Sequence, residues 1–338
     1  MAIPGCTMTS RNPEPSECQS MYLNSREGEV RDSTLKTHEY RLNHFVRWCD
    51  QNNVENLTNI DPIDIEQYKN WRRKDGDLSK SALKGQLDTL RVFMRYLGRL
   101  GIVDSELCES VPSVKMKRSD EVNNRKISED NAQAILETLD RYHYATVEHV
   151  WFLLAWRTSA RVGALRALDV DDYDPDNQFL YFRERDGTQL KNGPSGERPV
   201  ALSDETCAIL DDYLQHHRVT NTDQHGREPL FSSKQGRVHR NTMRRWCYTL
   251  TCPSFRGDEC ETEECNSQSD GKTSHKCDDS VSPHAIRRAS ITHFLRKDMP
   301  EKMVSDRADV SEDVLEKHYD KRSAEEKMEQ RRAYLDNI

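Results

Sequence analysis

The sequence has no apolar run near the roughly 20 residues a membrane helix needs, which excludes a helical membrane-spanning protein. Its first twenty residues have neither a basic n-region nor an apolar h-region, so a secretory signal is not expected. Their Pro, Ser and Thr content points to a mobile tail instead. No repeat at a solenoid period is visible. Aromatic residues are scarce at 7%, and hydrophobic residues reach only 35% against 32% charged, so each core must be lean. There is no excess of positive charge: 50 Lys and Arg face 58 Asp and Glu, a net charge of -8. That argues weakly against a uniformly basic nucleic-acid binder but leaves room for local basic patches. Lysine is the rarer cation, 17 against 33 arginines.

What is present suggests two domains in 338 residues. After a tail over 1–25, a helical pattern runs through about 26–108. Ser33 precedes a stripe of Leu35, Leu42, Phe45, Val46 and Cys49. Asp61-Pro62 is an N-cap with proline at the first helical position. Leu83, Leu87, Leu90, Met94 and Leu97 recur at helical spacing. Residues 109–126 lose this periodicity and carry five basic residues, which reads as a linker. The second domain, 127–338, opens at Ser128, an N-cap followed by Glu129 and Asp130. Val150–Trp156 reads as a buried helix, and 161–168 as a short one. Residues 179–184 and 198–202 read as strands around a turn rich in Gly, Asn and Pro, and 203–217 as a helix. The fold class is mainly α with a small antiparallel β-sheet, an α+β arrangement.

The residues able to carry chemistry are individually modest. Ser282-Pro283 opens a helix whose His284 and Arg287 are three apart and share one face, next to free backbone N–H groups that attract anions. Arg161 follows a turn in an apolar setting, TSARVGALRAL, where an arginine needs a partner or an anion. Lys191 stands in the turn between the two strands and is the only lysine between 127 and 233. Tyr319 lies on a helix opened by Ser311. Each alone is better read as ordinary structure: an ion pair, an exposed turn lysine, a packed tyrosine.

In this order, however, Arg161, Lys191, the His284-x-x-Arg287 motif and Tyr319 resemble the tyrosine recombinase (phage integrase) family over nearly the whole chain. The stretches RALDVDD and HYDKRSAEEKMEQRRAYL are most similar to archaeal integrases. The resemblance implies an N-terminal helical core-binding domain of SAM-like type, a linker and a C-terminal catalytic domain. It implies that Arg161 and Arg287 hold the non-bridging oxygens of one DNA phosphate, with His284 beside them. Lys191 would protonate the leaving 5′-oxygen and Tyr319 would be the nucleophile. The product would be a 3′-phosphotyrosyl link, formed with no cofactor for catalysis. The chemistry is consistent: fixed guanidiniums offset the charge that builds in the transition state. A positive pocket favours the phenolate of a residue whose ordinary pKa is near 10.

This sequence departs from the family pattern in three places. Ala164 stands where a glutamate is frequent, Arg288 where a histidine is frequent, and Asp309 and Val310 where a His or Trp precedes the tyrosine. The resemblance further implies double-stranded DNA as partner, a homotetramer on DNA, no membrane, a cytoplasmic location and an origin in a mobile element or prokaryotic chromosome. Residues 234–250 contain Lys234, Arg237, Arg240, Arg244 and Arg245 and no acid, which suits a helix along a DNA groove. The alternatives are a type IB topoisomerase-like enzyme and a non-catalytic, zinc-stabilised DNA-binding protein.

Ten cysteines without a secretory signal suggest thiols or metal ligands rather than disulfides. Cys252, Cys260, Cys265 and Cys277 fall in one polar insertion over 252–277 that has no apolar stripe. A structural zinc would staple it, with His275 as an alternative ligand. The spacing lacks the paired Cys-x-x-Cys of common zinc sites, and free thiols in a loop are the plain alternative.

Overall fold

The computed structural model describes residues 12–116, 125, 127–260, 262, 273–319, and 322, 323, 325, 328, 329 and 332. The chain divides into two compact units, 1–123 and 124–338.

The first unit is helical: α1 (Pro15–Arg26), α2 (Asp32–Gln51), α3 (Pro62–Asp75), α4 (Lys80–Arg99) and α5 (Ser105–Ser110). The capping chemistry read from the sequence sets α3. The Asp61 carboxylate accepts from the amides of Ile63 (2.7 Å) and Asp64 (2.9 Å), and Asp64 returns the bond to the Asp61 amide (3.1 Å). Helix α4 buries Leu83, Leu87, Leu90, Met94 and Leu97 on one stripe. An aromatic centre completes the core, with Phe45 edge-on to Tyr68 at 5.1 Å between ring centroids.

The expectation of a mobile tail over 1–25 is corrected for its second half. Cys18 and Tyr22, one helical turn apart on α1, are fully buried in the core of this unit. The apolar pair outweighs the Pro and Ser content, and Glu14 and Glu17 form a reciprocal cap at the helix start. At the other end α5 runs to Ser110 and Val111 is buried, so the segment read as linker begins inside the packed unit. Residues 117–124 and 126 of that segment lie outside the described residues.

The second unit is built around α7 (Val147–Thr158), where nine of twelve residues are buried. Helix α6 (Glu129–Tyr142) and the short α8 (Val162–Ala167) flank it in sequence. Three antiparallel strands follow, β1 (Tyr173–Asp174), β2 (Phe179–Phe182) and β3 (Arg198–Ala201), in the order β1-β2-β3, with Leu180 opposite both Tyr173 and Val200. Then come α9 (Asp204–Asp212), a hairpin of β4 (Ser232–Ser233) and β5 (Gly236–Arg237), and α10 (Arg240–Thr251). Next come α11 (Pro283–Arg296), α12 (Glu301–Ala308), α13 (Glu312–Val314) and a π-helical turn, Leu315–Tyr319. A separate small core of Ile291, Leu295, Val304, Ala308, Val310 and Leu315 holds Tyr319. No helix among the described residues is long and apolar enough to cross a membrane.

Candidate active site

Four chain segments meet at one cationic cluster. The first is the break between α7 and α8. Ser159 ends α7 in the left-handed region (φ 53°), which turns the chain and leaves Arg161 as the N-cap of α8. The Ser159 hydroxyl is 2.6 Å from that of Ser290 on α11, fixing the turn against the helix that carries the His-x-x-Arg motif.

That helix supplies Arg287, which is only 2% exposed. Its guanidinium donates to the carbonyls of Ser159 (2.5 Å) and Ala308 (2.6 Å), and at longer range to that of Asp309 (3.5 Å). Its Nε is buried with no hydrogen-bond partner among the described residues. Burial and the neighbouring Arg161 lower its pKa, while Tyr319 and Asp309 oppose that shift.

His284, one turn earlier, lies edge-on to the Tyr319 ring, 6.1 Å between centroids. The residue is exposed overall, yet partial burial of its ring and the cations Arg287, Arg288, Arg161 and Lys191 lower its pKa, favouring the neutral imidazole. Tyr319 itself is 7% exposed. The guanidinium carbon of Arg287 stands 5.9 Å from its ring centroid. Its carbonyl accepts from the Thr292 hydroxyl (3.0 Å), so the π-helical turn is tied to α11.

Lys191 occupies the turn between β2 and β3, exposed and without a hydrogen bond or ion pair among the described residues. The turn is ordered around it: the Leu190 amide donates to the Glu184 carboxylate, and the Glu184 amide donates to that of Glu197 (2.8 Å).

Three residues that sequence reasoning did not put in the site also belong to it. Arg198 on β3 donates to the Arg307 carbonyl (2.9 Å) and lies 4.5 Å from the Phe182 ring centroid. Burial and the cations Arg287, Arg161 and Arg307 push its pKa down to about 10, against the pull of Asp309. Asp309 pairs with Arg161 and accepts from the Asn192 amide (2.7 Å). Asp309 was noticed in the sequence only as a departure, and Asn192 only as a turn residue. The pairing joins positions 148 residues apart, which no local pattern reveals.

The basic segment 234–250 divides. Its first part is the β4–β5 hairpin, not helix, and Arg237 is a correction to the expected groove contact. Its side chain is 4% exposed and bound to Asp169 and to Asp223 (2.8 Å), and it also donates to the carbonyls of Arg166 (2.8 Å) and Leu168 (3.1 Å). The acids that balance it lie outside the segment, at a distance in sequence that hid them. Arg240, Arg244 and Arg245 are exposed on α10, opposite the buried Met243, Cys247 and Leu250, and form no ion pair among the described residues.

Of the cysteine set, Cys252, Cys260 and Cys277 converge. Their sulfurs lie within 4.8 Å of one another, Cys252 to Cys260 at 3.9 Å and Cys260 to Cys277 at 3.6 Å. Three thiolates around a tetrahedral Zn²⁺ with about 2.3 Å bonds are separated by about 3.8 Å, so the donors fit the ion. A disulfide would need about 2.05 Å. Cys265 lies outside the described residues, and His275 stands outside the converging set.

The sequence matches the phage integrase family over residues 125–324 and the phage integrase N-terminal SAM-like domain over 22–101. A probable integrase/recombinase protein of Methanocaldococcus jannaschii is 23% identical over 209 residues, 61% of this chain and 60% of that protein. The tyrosine recombinase XerC of Leptospira interrogans is 24% identical over 207 residues, 61% of this chain and 62% of that one. The chain thus spans about three fifths of the length of these curated relatives. In fold, the Tn1549 transposon integrase, solved in complex with a circular intermediate DNA, superposes with a TM-score of 0.64 over 96% of this chain and 99% of that chain, at 13% identity. With the catalytic-domain match alone covering more than half of its residues, this chain belongs to the phage integrase family.

Proposed function

We propose that this chain is a tyrosine-type site-specific DNA recombinase that cuts and rejoins DNA through a 3′-phosphotyrosyl intermediate. The observation that carries the reading is the convergence of Arg161, Arg287, His284 and Tyr319, with the buried, unpartnered Nε of Arg287 beside the tyrosine ring. The Tyr319 oxygen attacks the scissile phosphorus, the P–O bond to the 5′-oxygen breaks, and Lys191 delivers the proton to that oxygen. Arg161 and Arg287 take the non-bridging oxygens, where charge develops. A neutral His284 can accept the phenolic proton or donate to a phosphate oxygen. Because the phosphotyrosyl link keeps the energy of the broken bond, rejoining needs no nucleotide, and no cofactor enters the chemistry.

The partner is double-stranded DNA, bound in part along the exposed Arg240, Arg244 and Arg245 of α10. Exchange between two duplexes cuts four strands, so four copies assemble on DNA. The sequence affinity for archaeal integrases supports a mobile-element or chromosomal substrate in the cytoplasm. A structural Zn²⁺ on Cys252, Cys260 and Cys277 joins the end of α10 to the start of α11. It holds the fold of the insertion and takes no part in strand cleavage.

The test is a covalent trap. Nicked duplexes from DNA flanking the gene are incubated with the protein without added magnesium or nucleotide, and adducts are resolved on a denaturing gel. An adduct with wild type that Tyr319→Phe abolishes, while binding persists, is expected. Binding without an adduct on a duplex the protein protects from nuclease would refute the enzyme and favour a binding protein.

A further inference from the structure

The anion site of this unit already contains an anion. Asp309 ends α12 with φ 53°, a left-handed conformation that aspartate tolerates better than most residues. This turn brings its carboxylate, 12% exposed, onto Arg161. The other carboxylate oxygen accepts from Asn192, the residue after Lys191. A Cβ on Gly196 would lie 3.5 Å from Asp309 Oδ2, so the same loop walls the carboxylate in. Arg161, Arg198, Arg287 and Arg307 crowd here, and Asp309 is the carboxylate acting on both Arg198 and Arg287.

A carboxylate and a phosphodiester each carry one negative charge and accept the same guanidinium hydrogen bonds. The two cannot share Arg161 without repulsion. Resting on the recombinase reading above, we propose that Asp309 is a positioning residue that acts as resident counter-anion: it holds Arg161 and the Lys191 turn together in the DNA-free protein and is exchanged for the scissile phosphate. Before exchange it offsets the mutual repulsion of the arginines. Exchange breaks its bond to Asn192 and loosens the turn that carries Lys191, so the turn can move toward the leaving oxygen once a phosphate is seated.

Inorganic phosphate is the probe, titrated calorimetrically into the full chain, because this needs neither a target site nor cleavage. Asp309→Asn keeps a hydrogen-bonding group and removes the charge, so phosphate should bind at least about tenfold tighter than to wild type. The double variant Asp309→Asn/Arg161→Ala should lose that gain. Asn192→Ala, which only loosens the tether, should tighten phosphate binding by a smaller factor, and it carries the test if the Asp309 variant does not fold. On a nicked duplex the Asp309→Asn gain should appear as a lower half-saturating DNA concentration. Unchanged or weaker phosphate binding by folded Asp309→Asn and Asn192→Ala would overturn the proposal. Failure of the covalent trap alone would strike only the recombinase reading.

Discussion

Arg237→Ala separates a scaffold arginine from a DNA contact. The side chain sits between Asp169 and Asp223, which are 7% and 5% exposed, and its loss leaves both carboxylates buried. Removing one partner of such a buried pair costs about 3–5 kcal/mol. Here Arg185 stands 3.4 Å from Asp169 and Arg227 3.3 Å from Asp223, so two guanidiniums remain to share the charge. That puts the cost at the lower end, about 3 kcal/mol. For a unit of this size each kcal/mol lowers Tm by about 2–4 °C, so the second unit should melt roughly 6–12 °C lower. Differential scanning calorimetry of the full chain reads this directly, with Arg244→Ala as a surface comparison that keeps its Tm. DNA affinity and its salt slope should move the other way, with Arg244→Ala losing about one counterion of slope and Arg237→Ala keeping it. A normal Tm with a reduced salt slope in Arg237→Ala would refute the reasoning and return this residue to the DNA surface.

The same network makes an acid-stability prediction. Burial alone would raise the Asp223 pKa, but Arg237 and the amides of His225 and Arg227 outweigh it and hold it at about 2. A depressed carboxylate contributes its full stability above the ordinary value near 4 and loses it as pH falls toward 2; urea unfolding of wild type should weaken over that window, and less so in Arg237→Ala. Metal analysis of purified protein should find one zinc per chain, and Cys260→Ser or prolonged chelation should remove it and lower Tm, whereas zinc-free protein with unchanged Tm would dismiss the site. Lys191→Ala should slow cleavage by about 10²–10⁴-fold, and a 5′-thio leaving group, which departs without a proton, should restore most of the rate. Failure of that rescue would assign Lys191 to phosphate binding.

Local chemistry was the legible part of this sequence. Asp61-Pro62 and Ser282-Pro283 start helices where read, and the 83–97 stripe faces a core, because each signal acts within one or two turns. Tyr319 and Arg287 could be matched by motif order, since their spacing is set by the short helices between them. Arg237 could not be placed, because its partner Asp169 is 68 residues away. Residues 15–25 read as tail because proline and serine signal loops only when no apolar pair such as Cys18 and Tyr22 asks for burial. Asp309 was visible as an anomaly, but its bond to Arg161 depends on how α12 packs against α7 and α11.

Arg287 has a consequence for how such a protein can decay over generations. Its guanidinium clasps the Ser159 and Ala308 carbonyls, so it holds together the segments on which the proposed reaction depends. A lysine, one point charge on a flexible stem, cannot span both carbonyls and still reach a phosphate. Drift can therefore erase Lys191, exposed and unbonded among the described residues, without disturbing the framework. Position 287 is different: a lineage that abandons strand exchange but keeps the folded unit remains under selection to retain this arginine. Its presence in a descendant marks an intact framework, and the state of Lys191 is the better record of whether the chemistry is still in use.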